Sequence, residues 1–378
     1  MMRRNTIEAF FSLVQAGLWG NENPNLRIDG IANWNYIYQL AQEQSVQGLV
    51  LAGLEHSDIK PPKKLLLRWI GEVQMIEQRN REMNAFVANL IEKLRKEDIY
   101  AILVKGQGVA QCYEKPLWRS SGDVDLLLNE QNYYKAKQLL KLISNGVQEE
   151  RDYNLHLAMK VYSWDVELHG TLRAYLGNKV DRVIDGVQKD TFGNGKVRVW
   201  SNNNTDVFLP APDNDVIFVF THILMHFFRG GIGLRQICDW CRLLWTYKNE
   251  INIDLLKSRL KDAGLIAEWY AFAAIAVEQL GMPVESMPLY CPEKKWKRKA
   301  NQILTLMSET GSFGHNRDYS YYEKYPYVVI KIISLWRHTK ENLRHMTIFP
   351  KDALRVWLLR FKEGIDEVVK KKDARGQM

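Results

Sequence analysis

Cysteine is scarce, with four in 378 residues, too few for a disulfide framework. The chain therefore reads as one from a reducing compartment, and the expectation is a cytoplasmic protein. No apolar run reaches bilayer length. The best candidate, DVIFVFTHILMHFF, is short and carries His222 and His226. The opening MMRRNTIEAFFSLVQAGLWG has the basic start of a signal peptide, but Glu8 and Gln15 interrupt its apolar centre and no small-x-small cleavage site follows. Gly-x-x-x-x-Gly-Lys-Ser/Thr is absent, which excludes a P-loop. GQGVAQ has Gln111 where a dinucleotide fingerprint needs its third glycine. ILVK is followed by no His-Arg-Asp or Asp-Phe-Gly, which excludes a protein kinase. No repeat at a fixed period occurs.

What is present is the composition of a folded protein, 46% hydrophobic and 25% charged. Fifty-two basic against 44 acidic residues leave a net charge of +8, which suits an anionic ligand and also plain solubility. Part of the excess sits in VVKKKDARGQM, which reads as a solvated end. Twelve Trp and seventeen Tyr suit a pocket lining, or core and subdomain packing.

Hydrophobic spacing divides the chain into three regions. Residues 1–98 are helical, with NTIEAFFSLVQAGLW, WNYIYQLAQEQSVQGLVLAGLE and a long pattern from Leu65 to about Lys96 behind a proline pair. Residues 99–210 form an α+β block on a small mixed sheet. There YAILVKG and DVDLLL are strands, and EQNYYKAKQLLKLIS is a helix closed by Asn145-Gly146. NLHLAMKVY and WDVELHG make a hairpin, and KVRVW and DVFLP are further strands. Residues 211–378 return to helices. The fold class expected is α+β, a small mixed β-sheet core flanked by N-terminal and C-terminal helical regions.

Chemistry concentrates in ILVKGQGVAQCYEKPLWRSSGDVDLLL (102–128). Strand alternation puts Asp123, Asp125 and Leu127 on one face, and Asp165, Glu167 and His169 on one face of the later strand. If the strands are neighbours, three or four carboxylates converge. Their repulsion calls for a compensating charge, most simply a divalent cation on hard oxygen ligands, Mg2+ or Mn2+. Lys105-Gly106 at the preceding strand end lets the backbone approach a phosphate, and the helix start behind it offers free N–H groups.

The order of hydrophobic strand, glycine turn, short helix, Asp-x-Asp strand and later acidic strand resembles the polymerase-β-type nucleotidyltransferase superfamily. More narrowly, Val104-Lys105-Gly106, Arg119, Gly122-Asp123-Val124-Asp125 and Glu167-Leu168-His169 resemble a family of bacterial nucleotidyltransferases. The core of the likeness covers residues 100–170. It implies Asp123 and Asp125 as metal ligands with Glu167 as third carboxylate. Beside them, Lys105, Gly106, Gln107 and Arg119 are the residues expected around a nucleoside triphosphate. The implied activity moves a nucleoside monophosphate to an acceptor that is a small molecule, sugar, protein or RNA. The alternative is a non-catalytic nucleotide- or RNA-binding module of the same fold. The chain departs from the superfamily in having Gly106-Gln107 where Gly-Ser or Gly-Gly is usual, and in the longer interval filled by CYEKPLW.

Several residues keep two readings. Arg119 clamps a phosphate or pairs with the carboxylates. Lys105 contacts the triphosphate or caps its strand. His156 lines the pocket or is a solvated strand residue. His222, His226, Arg235 and Asp239 bind the acceptor or base, or Arg235 and Asp239 simply pair at i, i+4. His222 and His226 with Cys238 and Cys241 have the residue types of a zinc set, but RQICDWCRLL is helical, and the reading taken is helix-packing cysteine.

Overall fold

A computed structural model describes residues 2–20, 33–147, 155–310 and 324–376. The side chains of the final basic cluster lie outside the described residues. The architecture is α+β, with a small mixed sheet between helical layers.

The N-terminal part holds α1 (Met2–Trp19), α2 (Trp34–Glu43), α3 (Gln47–Glu55) and α4 (Lys63–Arg95). Pro62 precedes the first turn of α4, where a missing N–H costs nothing. Its buried stripe runs Trp69, Val73, Asn80, Met83, Val87, Leu90, Ile91 and Leu94, the spacing of one helical face. Trp69 and Val73 join a core shared by the N- and C-terminal helices. Met83 to Leu94 join a second core behind the sheet.

The sheet contains β1 (Ile102–Val104), β2 (Val124–Leu127), β3 (Ser144–Val147), β4 (His156–Val161) and β5 (Trp164–His169), in the order β1-β2-β5-β4-β3. Only β2 and β5 pair in parallel; the other ladders are antiparallel. Alternation sorts the faces. Leu103, Val124, Leu126, Leu157, Val166 and Leu168 fill the second core with α6 (Glu130–Lys141). Ile102, Val104 and Leu127 point the other way and join the first core. Asp125 shares that face, so the acidic edge opens where the sheet meets the C-terminal helices.

β6 (Val197–Asn202) and β7 (Thr205–Pro210) form a separate hairpin. Asn203 and Asn204 both take positive φ, 49° and 67°, the turn that matches strand twist. The C-terminal part comprises α8 (Pro212–Arg229), α9 (Leu234–Thr246), α10 (Ile253–Ala263), α11 (Ile266–Glu278), α12 (Lys294–Thr310) and helices Tyr327–Ile348 and Pro350–Gly376. Trp240, Trp269, Phe220 and Phe272 are buried there in edge and stacked contacts.

Two elements depart from the sequence reading. Asn145-Gly146 does not cap α6, which stops at Lys141; the pair lies in edge strand β3, where β4 supplies a hydrogen-bonding ladder that overrides turn propensity. The sequence pattern names no helix over α7 (Asn178–Gly193), because its buried stripe, Val180, Ile184, Val187 and Thr191, is thin among polar residues.

Candidate active site

The register fixes which side chains meet. Val104 lies opposite Asp125, Asp125 opposite Glu167, and His156 opposite His169. At the end of β1 the chain turns sharply. Lys105 takes φ of 57° and Gly106 takes 38°. A Cβ on Gly106 would meet only ordinary contact with the Asp123 carbonyl at 3.5 Å, so glycine is needed there for the backbone angle and not for room. α5 (Gly106–Ala110) is a single short turn of helix.

This bend brings Lys105 Nζ to 2.7 Å from Asp125 Oδ1. His169 Nε2 stands 2.7 Å from the same oxygen and 3.4 Å from Glu167 Oε2. His156 Nε2 stands 3.1 Å from Glu167 Oε2. The carboxylates are therefore not left to repel unopposed, as the sequence suggests. Lys105 is built into the cluster as a counter-charge and His169 as a hydrogen-bonding partner.

The three acids respond differently. Burial raises the Asp125 carboxyl, but the Lys105 charge and the His169 hydrogen bond outweigh it and hold its pKa low. Burial likewise opposes ionisation of Glu167, and hydrogen bonds from His156 and His169 overcome it, so its pKa falls well below the usual range. Asp123 has no such partner. The Asp125 charge, with burial, pushes its carboxyl up from 3.8 to about 6, against the pull of Lys105. Burial lowers the Lys105 and His169 pKa values, yet in each the neighbouring carboxylates win and the net direction is upward.

These residues open into a cavity of about 580 Å3 whose far wall is α8 and α9. His222 and His226 face it one helical turn apart, Nε2 to Nε2 at 3.0 Å. Burial and the Lys105 charge depress both, His226 to about 4, so the pair is neutral at pH 7. Such a pair offers one donor and one acceptor between two rings. Arg119 crosses 120 positions in sequence to grip Asp239 with a two-pronged contact, Nε to Oδ1 at 2.8 Å and Nη2 to Oδ2 at 2.7 Å. The Tyr113 hydroxyl donates to the same carboxylate at 2.8 Å. Arg235 donates to the Ser120 carbonyl at 2.7 Å. Arg119 thus pairs with Asp239 and not with the Asp-x-Asp carboxylates.

The structure gathers Asp123, Asp125, Glu167, Lys105, Gly106, Arg119, His156, His169, His222, His226, Arg235 and Asp239 around one cavity. Gln107 stands apart. Its side chain is buried against α4, donating to Asn80 Oδ1 at 2.9 Å, so its amide is not a cavity wall. Asp165 lies at the outer end of β5, paired with Lys160 at 3.2 Å and 61% exposed. Cys238 and Cys241 are fully buried in the helical core. Among the described residues, the groups suited to an ion contain no cysteine.

Two contributors escaped sequence reasoning. Asn80 of α4 donates to the carbonyls of Leu117 and Arg119 at 2.7 and 2.8 Å, fixing the loop that carries Arg119. A polar residue inside an otherwise apolar helical stripe was the available signal. The segment after β5, with Thr171, Arg173 and Tyr175, forms a further cavity wall. Its only signal was adjacency to Glu167-Leu168-His169.

The donor set suits a hard divalent ion. Asp123, Asp125 and Glu167 each place an oxygen within 4.8 Å of the others, and the Asp123 carboxyl is raised by the Asp125 charge and burial beyond what Lys105 offsets. Among the described residues, no helix is long and apolar enough to cross a membrane.

No curated protein and no solved structure matches the chain. A family model described as uncharacterised nucleotidyltransferase matches residues 31–281, about two thirds of the chain, from α2 through the sheet to the end of α11. The span includes every cavity residue discussed above, and the protein belongs to this nucleotidyltransferase family, with nucleotidyl transfer as its general chemistry.

Proposed function

We propose that the protein moves a nucleoside monophosphate from a magnesium-bound nucleoside triphosphate to an acceptor hydroxyl or similar group, releasing pyrophosphate. The observation that carries this reading is the convergence of Asp123, Asp125 and Glu167 beside Lys105-Gly106, at the wall of a cavity of about 580 Å3. A divalent ion on these carboxylates supplies charge neutralisation for the triphosphate and the leaving pyrophosphate.

The residues divide the remaining work. Lys105 trades Asp125 for a phosphate oxygen and keeps a charge-assisted contact in both states. The Gly106 turn lets phosphate approach the backbone closely. Glu167, held ionised by two imidazoles, is kept available to an ion beside the acceptor, and His156, oriented by its hydrogen bond to that carboxylate and lining the cavity, receives the proton of the attacking hydroxyl. His222 and His226, neutral at pH 7, hydrogen-bond the acceptor or the base without adding charge. Arg119, clamped by Asp239, holds the rim in shape.

The test is calorimetric titration of ATP, GTP, CTP and UTP with magnesium, then pyrophosphate measurement in the presence of a cell extract. At least one nucleotide binds, and chelator weakens it strongly. No binding by any nucleotide sinks the reading. Binding without pyrophosphate release would leave a nucleotide-sensing module of the same fold.

A further inference from the structure

Glu167 belongs to two ligand groups. With Asp123 and Asp125 it makes an all-oxygen set; with His156 and His169 it makes a set of two imidazole nitrogens and one carboxylate oxygen, all within 4.8 Å of one another. The second set has chemistry of its own. On the antiparallel pair β4–β5, His156 lies opposite His169, and Glu167 shares their face one step along the strand. Both Nε2 atoms flank the same oxygen, Oε2, at 3.1 and 3.4 Å. The rings are tilted with centroids 4.8 Å apart.

Those spacings match ligands of a common ion. Two donors each ~2.1 Å from a metal stand ~3.0–3.4 Å apart for angles between octahedral and tetrahedral. The side chains are 35% exposed for His156, 27% for Glu167 and 16% for His169, so an ion there keeps open positions toward the cavity. Leaving Asp125 for the ion does not strand that carboxylate, because Lys105 remains on it. Imidazole favours ions of the zinc, cobalt(II), nickel(II) and iron(II) class, whereas the all-oxygen set suits magnesium. Hydrogen bonding alone explains one histidine on Glu167. Two nitrogens directed at one oxygen from adjacent strands are the arrangement of a three-ligand face.

We propose that His156, Glu167 and His169 form a binding site for a transition-metal dication, adjoining the oxygen-only site and sharing Glu167 with it. The proposal uses the same cavity as the transfer reading but not its chemistry, and its test contains no nucleotide, so either can fail alone.

The full chain, freed of metal, is titrated with Co2+ by visible absorption and with Zn2+ and Mg2+ by equilibrium dialysis. One Co2+ and one Zn2+ per chain bind at least a hundredfold tighter than Mg2+. His156→Ala, at a part-exposed strand position, weakens Co2+ and Zn2+ by tenfold or more and Mg2+ by no more than a few-fold, with circular dichroism confirming the fold. Glu167→Gln weakens all three ions. Equal affinity for Zn2+ and Mg2+ would overturn the proposal, as would a Co2+ spectrum indifferent to His156→Ala. A cobalt–thiolate charge-transfer band would overturn it too, placing the ion on a cysteine.

Discussion

Asp123 and Asp125 are separated by one residue and chemically alike, yet their replacement by Asn has opposite expected effects on the metal-free protein. Asp123 carries a carboxyl lifted from 3.8 to about 6, first by the Asp125 charge and then by burial. In the unfolded chain that carboxyl ionises near its ordinary value. A raised native pKa contributes stability that is complete below the unfolded value and lost as pH rises through the native one. The window here is about pH 4 to 6. A rise of roughly two pH units corresponds to about 3 kcal/mol, and solvent screening at this part-exposed side chain brings the expected gain from Asp123→Asn at pH 8 to about 2 kcal/mol. For 378 residues that amounts to a melting-temperature rise of about 2–3 °C. Asp125 is the reverse case. It is 3% exposed, and Lys105 and His169 both lean on it. Asp125→Asn leaves Lys105 buried with weaker partners and costs about 1–3 kcal/mol, less than the ~3–5 kcal/mol of a fully orphaned charge because Asp123 and Glu167 remain nearby. The assay is thermal or denaturant unfolding of wild type and both variants in chelator at pH 8 and pH 4. The Asp123→Asn gain should be present at pH 8 and gone at pH 4. A less stable Asp123→Asn at pH 8, or a gain that persists undiminished at pH 4, refutes the electrostatic account of the cluster.

Glu167→Gln should lower the transfer rate about a hundredfold or more, while Asp165→Asn, at an exposed strand end, leaves it within a few-fold; steady-state pyrophosphate release reads both, and the reverse ranking would relocate the third carboxylate. Asp239→Asn removes the charge that Arg119 grips in a buried two-pronged contact and should destabilise by about 3–5 kcal/mol in urea unfolding. Arg119→Lys recovers little of that contact, because an ammonium lacks the planar fork, and a Lys variant as stable as wild type would show that charge alone suffices.

The parts of this site that alternation governs were legible in the sequence. Asp123, Asp125, Glu167 and His169 face the cavity because side chains on a strand alternate and because β2 and β5 are neighbours. The hairpin of β4 and β5 followed from the same period. Contacts set by tertiary geometry were not legible. Nothing in Val104-Lys105-Gly106 announces a lysine at φ of 57° that folds back onto Asp125. Arg119 and Asp239 meet across 120 positions, a pairing that no local spacing encodes. Adjacency in sequence groups Gln107 with Gly106, but on so short a helix its side chain turns toward Asn80. β3 hid behind Asn145-Gly146, which has turn chemistry yet pairs as an edge strand once β4 is there to receive it.

Helix α4 has a consequence for how the protein moves. Its 33 residues make a rod of about 50 Å. One end is embedded in the core of the N- and C-terminal helices and the other in the core behind the sheet. Asn80, midway, holds the loop that bears Arg119. A single unbroken beam mortised into both blocks leaves no hinge between them along this path. Opening the cavity by swinging one block away would require bending or breaking the beam. Ligand entry is therefore left to rearrangements of the rim, and unfolding of either block should carry the other with it in one transition.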